Sequence, residues 1–237
     1  MNLRGGVIII GSLLWDNAER GEWRPTSLES IDAKIPLKLR IRYGRESGKK
    51  RHHTYTMVFS NDPTTDYGQG FLVGFQHRVN NEQDLLNEAA SLAQAEGIWS
   101  EKDPFIAKDW GAVGLLVNDN ISTRADILAA WQKVFREYRC NTGKRPHHRE
   151  QYAFDGELPV INDAGLLQIE WLPEMNRFDF LLATPTAPKP RRALTPNEVA
   201  QRIIQSGYTT YYDGNRANGI HTFQDTEISN LLAAHFS

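Results

Sequence analysis

Val7-Ile8-Ile9-Ile10 presents no polar face at all. Consecutive β-branched residues suit a pleated backbone and crowd a helix. Because the run has no side fit for solvent, it predicts a short central strand covered on both faces. The aliphatic run resumes as Leu13-Leu14-Trp15, interrupted once by Gly11-Ser12. Gly11 is read as supplying backbone angles closed to other residues, and Ser12 as a small hydroxyl, so that N–H groups at the strand's end point into a cleft. Two uses of this turn stay open: geometry alone, or the holding of a polar ligand group.

A chain of 237 residues is one large domain or two small ones. Its formal net charge is −2, so no global field favours nucleic acid, and the Lys49-Lys50-Arg51-His52-His53 patch is too short to alter that. Cys140 stands alone, which excludes an internal disulfide and a Cys-rich zinc site and suits a reducing compartment, the cytoplasm by default. Arg4 followed by an apolar run superficially resembles a signal peptide, but Asp16, Glu19 and Arg20 stand where a cleavage site belongs, and the run is read as structure. No stretch has the length of a membrane span, so a soluble protein without a membrane partner is expected.

Asp16 to Ser30 is polar and reads as a loop with room for a turn of helix, placed to cover the first turn. Ile35 to Tyr43 alternates strictly, with Lys38, Arg40 and Arg42 on the polar face and Pro36 confining the start to an edge. With the alternation of Thr54 to Ser60 it predicts a long hairpin over 35–60. Asn61 to Gly70 reads as a loop and Phe71 to Phe75 as a strand. Gly111 to Val117, Leu166 to Leu172 and Phe178 to Leu182 read as further strands. A helix is predicted from about Thr123 to Tyr138, its apolar stripe assigned to the core. Gly143-Lys144 lacks the rest of a phosphate loop, and the pairs His52-His53 and His147-His148 lack ligands at metal spacing, so no metal site is expected. The Pro-rich stretch Thr184 to Arg192 is the best linker. Thr195-Pro196-Asn197-Glu198 opens a capped helix to about Ser206, Tyr208 to Gly219 reads as an aromatic and polar loop, and Thr222 with Asp225 caps a last helix ending near His235.

The most informative helix runs from about Asn81 to Glu96, with Gly97 placed to end it. At 100° per residue Leu85, Ala89, Leu92 and Ala93 form its apolar stripe, Glu96 falls on the midline of that stripe, and Glu88 lies on its flank. A carboxylate in the last turn on the buried face is opposed by the macrodipole and by desolvation. Both raise its pKa toward that of a general base. The competing reading is that Glu96 frays into solvent.

Ile10-Gly11-Ser12-Leu13-Leu14 and Ser91-Leu92-Ala93-Gln94-Ala95-Glu96-Gly97 together resemble the gamma-glutamyl cyclotransferase-like family. That family opens with a strand leading into Tyr-Gly-Ser and carries an acidic residue late in a helix. The resemblance covers about residues 6 to 117, with Ile10 where the family has tyrosine. It implies an α+β fold, a small mixed β-barrel with flanking helices over residues 1–183. A Pro-rich linker at 184–192 and a C-terminal helical extension at 193–237, packed on the main domain, would follow. It also implies a cofactor-independent enzyme releasing 5-oxoproline from a gamma-glutamyl amine. Glu96 would be the acid/base, and Ile10, Gly11, Ser12, Leu13, Leu14, Tyr43 and Arg45 would bind the substrate. Tyr43, Arg45 or a tyrosine of 208–212 is left to supply the missing polar contact. Two rivals stay open: a catalytically inactive binding protein of the same fold, and a domain whose aromatic tail docks a protein. Oligomeric state is left open.

Overall fold

The strand predicted at the centre is at the centre. In a computed structural model of the chain, β1 (Leu3–Ile9) is the middle strand of a five-stranded sheet. It pairs antiparallel with β5 (Gly68–Val79) and parallel with β7 (Phe180–Ala183). Beyond β5 lies β2 (Ile35–Leu39), and beyond β7 lies β6 (Gly114–Val117). Residues 1–236 are described apart from Thr142 and Lys144, and of Ala18, Glu19 and Phe236 the backbone alone. The lysine of the rejected phosphate loop therefore lies outside the described residues. Val7, Ile8 and Ile9 are all buried to within 1 %, as a strand with no polar face requires.

The sheet does not close, which corrects the expected β-barrel: β2 and β6 are its two edges. The long hairpin over 35–60 is corrected with it. The chain leaves the sheet at Arg40, and β3 (Ile41–Glu46) pairs instead with β4 (Tyr55–Phe59) in a separate two-stranded ribbon. Alternation could not mark this break, because Leu39 and Ile41 on either side of it are both buried. Nor does Arg42 keep to the solvent face: it is buried, stacked 3.8 Å above the Phe154 ring and ion-paired with Glu157. Pro36 does lie on an edge strand, where its missing N–H costs no ladder bond.

Two short helices, α1 (Asn17–Arg20) and α2 (Trp23–Ser27), occupy the segment after the first turn. Helix α3 (Glu82–Ala95) starts at Asn81, whose side chain accepts from the Asp84 N–H, and Glu96 is its C-cap. Helix α4 (Arg124–Tyr138) packs on it. The Thr195 capping box opens α5 (Pro196–Ser206) as predicted. The predicted loop at 208–219 is corrected: Thr210–Ala217 is a helix, α6, followed by α7 (Asp225–Phe236) packed on α5. Gly214 misleads as a breaker. A Cβ there would stand 2.7 Å from the Trp15 ring, so the residue is small because α6 lies against the first turn. The strand predicted at 166–172 reduces to isolated bridges at Leu166 and Leu167.

The stretch 184–192 is hydrogen-bonded to the body along its length: Ala112 N–H donates to Pro185, Ala187 N–H to Trp110 and Glu46 N–H to Lys189. Among the described residues no helix is long and apolar enough to cross a membrane.

Candidate active site

β1 ends at Ile9, and Ser12–Leu14 then forms a single 3-10 turn. The N–H groups of Ser12 and Leu13 open this turn and have no partner within it. Gly11 itself sits at φ −169°, an extended angle, which corrects the expectation that its backbone conformation demands glycine. Proximity demands it: a Cβ would lie 2.9 Å from the Tyr211 hydroxyl. Helix α6 brings Tyr211 there because Trp15 donates its indole N–H to Asn215 at 2.8 Å and stands beside the Tyr211 ring. The hydroxyl also accepts from the Met57 N–H at 3.2 Å, which ties α6 to β4. Burial raises the Tyr211 pKa, so the phenol stays neutral.

Ile10, Gly11, Ser12 and Leu13 line a cavity of about 380 Å³ with Arg45, Trp110, Thr184 and Tyr211. Glu96 lines the same cavity. Its side chain is 22 % exposed, with Oε2 3.3 Å from Arg20 and Oε1 accepting from Thr184 at 3.1 Å. Each oxygen is thus held by a different element, which fixes the plane of the group. Fraying of Glu96 into solvent is excluded by these contacts.

An alternating chain of charges runs behind the turn. Asp16 pairs with Arg20 at 2.8 Å and with Arg51 at 3.3 Å, and Arg51 also donates to the Ser12 hydroxyl at 2.8 Å. Arg24 clamps the far side of the turn by donating to the carbonyls of Leu13 and Asp16. The turn therefore keeps its shape through side chains from α1, α2 and the 49–51 loop, and such mutually supporting polar groups are costly to disrupt.

Two of the expected substrate contacts do not reach the cavity. Leu14 is 3 % exposed and packs in the core. Tyr43 is wholly buried beside Tyr212, its pKa raised first by desolvation and then by Asp225, and it faces the C-terminal helices. Both miss because they were placed by motif and strand position, which do not report the side a residue faces once β3 leaves the sheet. Arg20, Arg51, Trp110 and Thr184 went unassigned. No local signal marks them, although the charges of 16–20 and 49–51 stand out once they are known to face each other. Among the described residues no group of three or more His, Cys, Asp or Glu could hold a metal ion.

Glu88 is the second unusual carboxylate of α3. Burial, followed by repulsion from Asp84, pushes its pKa up to about 7. It does not line the cavity. Comparison of the chain with family models, with curated proteins and with solved structures found no match.

Proposed function

We propose that this chain is a cofactor-independent gamma-glutamyl cyclotransferase-like enzyme. The observation that carries the reading is that Glu96 and the Gly11-Ser12 turn, far apart in sequence, line one cavity. In this reading the Ser12 and Leu13 N–H groups orient the glutamyl half. The α-amine then attacks the γ-carbonyl within the same molecule, so the step needs no second reactant and gains the rate advantage of proximity. Glu96 takes a proton from the attacking nitrogen and returns it to the departing amine as the γ-amide C–N bond breaks, leaving 5-oxoproline and an amine. Tyr211 presents a phenol hydroxyl beside the turn where the resembled family has its tyrosine.

One observation favours a second reading, a ligand-binding protein of the same fold: Glu96 is already engaged by Arg20. Release of 5-oxoproline from gamma-glutamyl compounds, compared between the wild type and Glu96→Gln, separates the two. Turnover that disappears in the variant supports the enzyme. Equal turnover removes Glu96 from the mechanism, and ligand binding without turnover in the wild type selects the second reading.

A further inference from the structure

Glu96 and the turn after β1 are held by different arginines. Glu96 accepts from Arg20 and Thr184, and the Ser12 hydroxyl accepts from Arg51. The two arginines nevertheless converge. Oδ2 of Asp16 accepts from Arg20 Nη1 at 2.8 Å and from Arg51 Nη2 at 3.3 Å, so one carboxylate oxygen receives the arm that leads to each end of the site. Asp16 does not itself line the cavity, whereas Ser12, Arg20, Arg51 and Glu96 all do.

Each joint of this relay is fixed by geometry. Asp16 donates its backbone N–H to the Ser12 carbonyl at 2.8 Å, and its own carbonyl accepts from Arg24 at 3.1 Å, which ties it to the turn it serves. Asp16 and Arg20 bracket α1 at i and i+4, the spacing at which opposite charges meet on a helix. Arg20 directs one terminal nitrogen to Asp16 and the other to Glu96. Because that fork is planar and rigid, the two carboxylates are set relative to one another. Arg51 divides one nitrogen between Asp16 and Ser12, with its guanidinium 5.2 Å from the centre of the Tyr211 ring. The Arg20 side chain is 6 % exposed and those of Asp16, Arg51 and Glu96 are 18 to 22 % exposed, so these pairs are screened less than surface ones.

We infer that Asp16 is a positioning residue: through Arg20 and Arg51 it sets where the Glu96 carboxylate stands relative to the Ser12 turn, without touching a substrate. What those two ends do rests on the proposed cyclotransferase reading, whereas their being joined through Asp16 does not. A change at Ser12 or at Glu96 disturbs one end, but loss of the Asp16 charge releases both. Linked polar groups of this kind hold one another in place, so their energies do not add.

The test is a double-mutant cycle on the full chain by urea unfolding, Ser12→Ala with Glu96→Gln, run in the wild-type and in the Asp16→Asn background. Asn keeps the shape of the side chain and removes its charge. In the wild-type background the folded-to-unfolded ratio of the double variant should depart from the product of the single effects by about threefold or more. In the Asp16→Asn background the product should hold. Arg51→Met cuts the other arm while keeping an unbranched stem, and it should abolish the coupling in the same way, so a failure of Asp16→Asn to fold still leaves a decisive background. On 5-oxoproline release, Asp16→Asn should lower kcat about tenfold and raise KM by a similar factor. A protein that is merely destabilised loses apparent kcat with its folded fraction and keeps its KM. Absence of coupling in the wild type, coupling that survives either replacement, or an unchanged KM in Asp16→Asn overturns the inference. No release by the wild type removes the proposed reaction, and the cycles then decide the inference by themselves.

Discussion

Replacing Glu88 by Gln tests whether burial alone accounts for the odd carboxylate of α3. Glu88 is 9 % exposed and its pKa rises from 4.5 to about 7, first through desolvation and then through Asp84 one turn earlier. Because the folded value lies above the unfolded one, the native state holds the proton more tightly. Stability from this group is therefore fully present below pH 4.5 and is lost as pH rises toward 7. A difference of that size corresponds to about 3 kcal/mol of destabilisation once the group is ionised, near pH 8, and to less than about 1 kcal/mol near pH 5. Gln keeps the shape and cannot ionise. Urea unfolding of both proteins at the two pH values should show the variant gaining about 2 to 3 kcal/mol on the wild type between them. The comparison must be made at matched pH, because His147 slopes the other way and cancels only in the difference. An identical stability gap near pH 5 and near pH 8 would refute the assignment of a buried, reluctantly ionised carboxylate.

Burial and the neighbouring Arg139 lower the His147 pKa to about 4, so its contribution is full above pH 6.5 and is lost as pH falls toward 4. His147→Asn should therefore flatten the acid side of the wild-type stability profile by about 3 kcal/mol, read by the same unfolding assay. Gly11→Ala should cost about 1 to 3 kcal/mol, because its Cβ would stand 2.9 Å from the Tyr211 hydroxyl. Tyr211→Phe alone should cost about 1 kcal/mol, since the Met57 N–H loses its acceptor. Without the hydroxyl the nearest ring atom lies 3.8 Å from that Cβ, so the double variant should be more stable than the sum of the single costs; strict additivity in the cycle would show that the contact is not the reason for the glycine.

What was legible in the sequence is what depends on local pattern. The unbroken β-branched run predicted a central strand and the Thr195 capping box predicted the start of α5. The midline position of Glu96 singled it out but left burial and fraying into solvent both open, and the contacts from Arg20 and Thr184 decide between them. What was not legible depends on partners distant in sequence. Alternation passes through Arg40 without recording that β2 joins β5 while β3 joins β4. Tyr208 to Gly219 has a loop's composition, yet Tyr211, Tyr212 and Asn215 are all buried because α6 finds Trp15 and β4 to pack against. Tertiary cover overrode weak local propensity there.

The two carboxylates of α3 show why a perturbed pKa does not by itself locate a site. Glu88 has the raised value sought in a general base, and it is in the wrong place. Glu96 is held by Arg20 and Thr184 and lines the cavity. Desolvation comes from any apolar surroundings, and α3 buries one whole face to hold the fold. Only convergence of separate elements on one space distinguishes a site from a core: the turn after β1, the cap of α3, the 49–51 loop, the 184–186 segment and α6 all meet at this cavity. Tyr211 makes the same point, since its phenol hydroxyl reaches the turn after β1 from a helix far later in the chain, a residue no motif centred on the turn could contain.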